Sequence, residues 1–144
     1  MIIRPYQASD ASTVVRLWSD CGLVVSHNNP LRDIERKLKV NPEWFLVGEI
    51  DETIIASCMA GYEGHRGWIN YLAVAPSEQR KGHAAKIMGE AERLLRDAGC
   101  PKINLQVRST NQAVIEFYQS IGFNIDPVTS MGKRLEQDSP PDAA

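Results

Sequence analysis

The sequence predicts an α/β (α+β) fold, a mixed, mostly antiparallel central sheet of six to seven strands flanked by about four helices. Three observations carry that prediction. Apolar runs at 44–50, 53–60 and 68–74 follow one another across short turns, the pattern of antiparallel neighbours. Residues 84–98 then bring Ala84, Ile87, Met88, Ala91, Leu94, Leu95 and Ala98 onto one helical face. Beyond them a strand pattern at 103–107 precedes a helical one that ends at Ile121, which implies a parallel crossover in the same sheet.

The elements follow in order. Ile2-Ile3-Arg4 reads as a short strand closed by Pro5. Ser9 or Asp10 caps a helix whose Val14, Leu17, Trp18 and Cys21 keep helical spacing up to Gly22. Residues 23–29 carry little pattern, and His27 reads as a loop residue there. Asn29-Pro30 is an N-cap and first helical position for a short helix with Leu31, Ile34 and Leu38. Asp51-Glu52 turns the first hairpin, and Gly61 to Gly67 makes a second turn. Gly99 and Pro101 stop the long helix. Ser109 or Thr110 caps the last helix, Gly122 ends it, and short strands at 123–125 and 130–135 close the sheet. One domain is expected over 1–135, with a tail at 136–144 whose Gln, Asp, Ser, Pro and Ala composition predicts disorder.

Composition narrows the function classes. The formal net charge of −2, with both signs interspersed along 144 residues, does not support a nucleic-acid-binding footprint. Cys21, Cys58 and Cys100 lack metal or redox spacing and predict a reducing compartment. No run reaches the roughly 18 apolar residues of a membrane span, so a cytoplasmic protein is expected.

The chemistry concentrates where the strand at 68–74 passes through Ala75-Pro76-Ser77-Glu78 to Gln79-Arg80-Lys81-Gly82-His83-Ala84-Ala85. A helix N-terminus presents unpaired N–H groups and the positive end of the macrodipole. Gly82 and Ala84 keep side-chain bulk away from it, and Arg80, Lys81 and Lys86 add positive charge. The segment reads as a diphosphate cradle made of main-chain amides.

Gln79-x-x-Gly82-x-Ala84 resembles the Q/R-x-x-G-x-G/A signature of the GNAT superfamily of N-acetyltransferases, and Asn111 to Phe123 resembles its N-x-x-A-x-x-F-Y-x-x-x-G-F segment. Other stretches, among them residues 33–37, Gly64-His65-Arg66-Gly67 and Gly132-Lys133-Arg134-Leu135, are similar to the small bacterial YpeA-type acetyltransferases. The resemblance implies that acetyl-CoA is the co-substrate. Its pantetheine arm would lie along the strand at Leu72, Ala73 and Val74, its diphosphate at Gln79 to Ala85, and Asn111 would touch it from the next helix. Tyr118 matches the family tyrosine placed near the cofactor sulfur.

The base is open. Gln106 and Trp68 stand where related enzymes carry Glu, which leaves Glu63, His65 and Tyr71 as candidates. A primary amine acceptor is therefore expected: a small molecule, an amino acid or a peptide N-terminus, with direct transfer in a ternary complex. A protein N-terminal or lysine acetyltransferase remains an alternative, as does a non-catalytic acyl-CoA sensor. No metal, nucleic acid or membrane partner is expected, and a homodimer is possible.

Overall fold

The structure is a computed structural model that describes residues 1–139. Its sheet runs β1 (Ile2–Pro5), β2 (Phe45–Ile50), β3 (Thr53–Tyr62), β4 (Gly67–Val74) and β5 (Ile103–Asn104), side by side in chain order. The first four strands are antiparallel, and β5 joins β4 in parallel. Helices α1 (Ala11–Asp20) and α2 (Pro30–Lys37) pack on one face, while α3 (His83–Asp97) packs on the other with the partly buried side chains of α4 (Gln112–Ser120).

The two faces arise from period-2 alternation along strands that are buried on both sides. Leu46, Cys58, Ile69 and Val74 turn to α3 and meet Ile87, Met88, Ala91 and Leu95. Phe45, Val47, Met59 and Ala73 turn the other way and meet Val14, Leu17, Trp18 and Ile34. The hairpin between β2 and β3 turns at Asp51 and Glu52, which take φ of 49° and 67°, the left-handed pair that a two-residue turn requires. Asn29 caps α2 as expected, its Oδ1 accepting from Leu31 N at 3.1 Å and Arg32 N at 3.3 Å. Asp10 precedes α1 but turns its carboxylate back to Arg4, at 2.8 and 3.0 Å, and to the Gln7 amide at 2.8 Å.

The strand count needs correction. Among the described residues five strands form where six to seven were expected. The stretch at 103–107 pairs only through Ile103 and Asn104, opposite Gly67 and Trp68. Residues 123–125 and 130–135 make no strand. Side chains tether this part of the chain instead, Lys102 Nζ to Asp126, just past the first stretch, at 2.6 Å and Gln106 Nε2 to Ser130 Oγ. Pro127 has no amide to give to a ladder, and Ile125, Val128, Met131 and Leu135 face outward at 74–91% exposure, so no buried face fixes a strand register there.

Within the segment expected to be a tail, Asp138 is buried and accepts both Nη groups of Arg36 at 2.8 Å, and Glu136 accepts from Arg32 at 3.0 Å. Residues 140–144 of that tail lie outside the described residues.

Candidate active site

β4 changes character midway. Ser57 pairs with Ala73, and Met59 with Asn70, so Tyr71 and Leu72 together oppose Cys58: a bulge. At the same place β5 has already ended, leaving the second half of β4 with one open edge. The Ala75 amide donates to Ile55 O at 2.8 Å. Ala75 and Ala73 therefore turn their main chain toward β3, and by alternation Val74 and Leu72 turn theirs toward the open edge. Part of that edge is already engaged, because Val74 O accepts from Gln79 Nε2 at 3.0 Å and from Cys21 Sγ at 3.3 Å.

Past Val74 a single turn at Pro76–Glu78 leads to Gln79, then to Arg80 with φ of 64° and Gly82 with φ of 85°. Gly82 is the N-cap of α3. None of the main-chain N–H groups from Gln79 to Ala85 finds a main-chain acceptor among the described residues; the ladder resumes with Lys86 N to Gly82 O at 3.2 Å. A Cβ on Gly82 would meet nothing within 4 Å, so its backbone angle, not crowding by the protein, calls for glycine, and the space above it is free. A row of unpaired amides at a helix start is an anion site by its own partial charges.

The charges around it differ in freedom. Lys81 Nζ is spent on Glu78 at 3.2 Å, with His83 Nε2 at 3.7 Å from the same carboxylate. Arg80 and Lys86 are exposed and have no carboxylate in reach among the described residues. His83 Nδ1 is buried without a hydrogen-bond partner among the described residues.

Tyr118 packs from α4 on the α3 face, its ring 5.2 Å from Phe117 and 5.5 Å from Phe123. Burial, and secondarily the Cys58 thiol, push its phenol up to about 12. Its hydroxyl makes no hydrogen bond to any described residue, nor is it among the sealed polar atoms, of which His83 Nδ1 is the one identified. Asn111 is the N-cap of α4, its Oδ1 3.4 Å from Val114 N; the expected caps, Ser109 and Thr110, lie just before it.

The base candidates fall apart in space. Glu63 is exposed at the turn before β4, at the end away from the cradle, and its carboxylate accepts the amides of His65 and Arg66. Tyr71 lies at the bulge on the opposite face from Tyr118, where its hydroxyl donates to Asp33 Oδ2 at 2.6 Å and accepts from Asn28 Nδ2 at 2.7 Å. Burial first, then that bond to Asp33, raises its phenol. Cys58 is fully buried and its thiol is pushed up to about 12 by burial, which leaves it inert as a nucleophile.

Sequence reading gave no role to Asp33 or Ser57. The signals were a serine inside an otherwise apolar buried strand, and an acid one helical turn before Arg36, which it meets at 3.1 Å.

Comparison with known proteins finds relatives over nearly the whole chain. A profile of the acetyltransferase (GNAT) family matches residues 11–123. An acetyltransferase of Yersinia pestis is 43% identical over 135 residues, covering 94% of this chain and 96% of its own length. Another from Sodalis glossinidius is 42% identical over 139 residues, covering 96% and 98%. Among solved structures, Ard1 from Thermoplasma volcanium superposes with a TM-score of 0.78 at 23% identity, covering 87% of this chain and 83% of that one. The aminoglycoside 6′-N-acetyltransferase AAC(6′)-IG from Acinetobacter haemolyticus superposes at 0.75 with 18% identity, covering 94% and 100%.

Proposed function

The chain belongs to the acetyltransferase (GNAT) family and is an acyltransferase, and on that premise we propose that it moves the acetyl group of acetyl-CoA directly to a primary amine in a ternary complex. The observation that carries the reading is the run of unpaired amides from Gln79 to Ala85 beneath open space at Gly82. A diphosphate supplies the acceptors those donors lack. Arg80 and Lys86 add charge from the rim, and the outward main chain of Leu72 and Val74, with Ala73 between them, offers the pantetheine amides a strand edge. The carbonyl of Val74, which already accepts from Gln79 and Cys21, would exchange one of those donors for the arm. Asn111, at the start of α4, keeps its Nδ2 for the cofactor.

Tyr118 is the partner proposed for the departing sulfur. A phenol at about 12 against a thiol near 8.5 makes full proton transfer uphill by about 3.5 units, or roughly 5 kcal/mol. Its role is to donate a hydrogen bond to the sulfur as charge gathers there, with the proton crossing late. A hydroxyl without a protein partner is free to make that bond.

The acceptor follows from the bases. Tyr71 is held as a protonated phenol, and the Glu63 carboxylate is turned onto two amides of its own turn at the end of β4 away from the cradle. An acceptor that needs little help fits best. An α-amino group with a pKa near 8 is roughly a tenth neutral at pH 7, whereas a lysine near 10.4 is neutral about four times in ten thousand. The proposed class is a small amine, amino acid or peptide N-terminus, reaching the acetyl carbon beside the bulge.

The test is thiol release from acetyl-CoA across a panel of aminoglycosides, amino acid amides, N-terminal peptides and lysine peptides. Release that depends on a weakly basic amine supports the reading. Tight acetyl-CoA binding with no amine-dependent release would overturn it.

A further inference from the structure

Tyr71 is held at both ends by groups from three separate elements. It takes φ of 51°, a left-handed angle that costs a residue with a Cβ roughly 1 kcal/mol or more. On its main-chain side the fully buried Ser57 of β3 donates its hydroxyl to Tyr71 O at 2.8 Å, and Ser57 Oγ in turn accepts from the indole Nε1 of the fully buried Trp18 at 2.8 Å. The same indole stacks on the Tyr71 ring at 3.9 Å, tilted by 17°. At the far end the phenol is fixed by Asp33 and Asn28. Each polar atom in this chain is satisfied by the next, and a buried network of that kind specifies one geometry because a half-satisfied alternative is costly.

What it specifies is the bulge. At the bulge the Tyr71 carbonyl is received by the Ser57 hydroxyl, and by alternation the Leu72 main chain that follows faces the open edge of β4. We propose that Ser57 is a positioning residue for acetyl transfer: oriented by Trp18, it locks the β4 bulge so that the strand edge is preset for the acyl-pantetheine arm. This rests on the acetyl-CoA reading above. Ser57 acts through Tyr71 and Leu72 and touches no substrate, and its hydroxyl is equally unreachable from the cradle at Gln79 to Ala85.

Two ligands separate the clamp from general stability. 3′-Phosphoadenosine 5′-diphosphate carries the phosphates of the coenzyme and none of the pantetheine, whereas acetyl-CoA carries both. Calorimetric titration of Ser57→Ala is expected to show acetyl-CoA affinity lowered roughly tenfold, the scale of one buried hydrogen bond, with affinity for the nucleotide unchanged within twofold. Ser57→Thr, which keeps the hydroxyl, is expected to retain both. Should Ser57→Ala not fold, Trp18→Phe removes the orienting donor while leaving the serine, with a smaller loss confined to acetyl-CoA. Equal losses for the two ligands, or no loss of acetyl-CoA affinity in the folded variant, would overturn the clamp alone. A parent protein that binds neither ligand would overturn the acetyl-CoA reading itself, and the clamp with it.

Discussion

Tyr71 and Tyr118 sit on opposite faces of the sheet, both with phenols raised by burial, yet their surroundings are opposite in kind. The hydroxyl of Tyr71 donates to one neighbour and accepts from another at 2.6 and 2.7 Å, so its hydrogen-bonding capacity is nearly used up inside the protein. The hydroxyl of Tyr118 has aromatic rings around its own and no polar partner among the described residues. A saturated phenol builds structure, whereas a desolvated phenol with a free donor is stored capacity that a ligand can complete. On the proposed reading the difference puts Tyr71 in the frame of the site and Tyr118 in its chemistry.

The sharpest way to break that contrast is to remove each hydroxyl in turn. Tyr118→Phe is expected to lower turnover about 100-fold, equivalent to roughly 2.7 kcal/mol, while acetyl-CoA affinity stays within twofold; steady-state kinetics with calorimetry measure both. Unchanged turnover would retire the proposed role. Tyr71→Phe takes one hydrogen bond each from Asp33 and Asn28 and is expected to cost about 2 kcal/mol of stability in urea titration, with a smaller change in turnover. A reversed pattern would exchange the two assignments.

Residue by residue, the sequence was most legible where pattern and burial coincide. The α3 face, the β2–β3 turn and the Asn29 cap could be read directly, because helical spacing, acidic turn residues and a Pro at the first helical position each act locally. The strands expected at 123–125 and 130–135 failed because β-pairing is decided by a neighbour's backbone, and β5 stops at Asn104. The helix start proposed as the cradle was legible from Gly82, since a positive φ and an amide-rich helix start are local properties. The clamp was not. Trp18, Ser57 and Tyr71 meet only after α1, β3 and β4 have packed, and a serine in an apolar run carries no mark of its two partners.

Alkali provides a finer comparison. For Tyr118 the folded value, about 12, lies above the ordinary value near 10, so the folded state holds protons that the unfolded state has released between those limits. Stability is therefore complete below about pH 10 and falls as pH rises toward 12. Tyr118→Phe is expected to flatten that alkaline slope, measured as the urea midpoint against pH.

The smallest effect is at the acid end, far from either phenol. The hydrogen bond from Arg4, joined by the Gln7 amide, holds the Asp10 carboxyl below its usual range. Its contribution is present above the ordinary carboxylate pKa and is lost as pH falls through the lowered one. Asp10→Asn is expected to reduce the steepness of acid unfolding below about pH 4 and to leave acetyl-CoA binding alone. A change in binding would mean that the β1–α1 corner reaches the site.

Titrating the uniformly labelled protein with acetyl-CoA while following backbone amide resonances tests the central claim most directly, because the grip is proposed to lie in main-chain hydrogens. The expected result is large shifts and new exchange protection concentrated at Gln79 to Ala85, with smaller changes at Leu72 and Val74. Binding that leaves the 79–85 amides unmoved, or no binding at all, would contradict it.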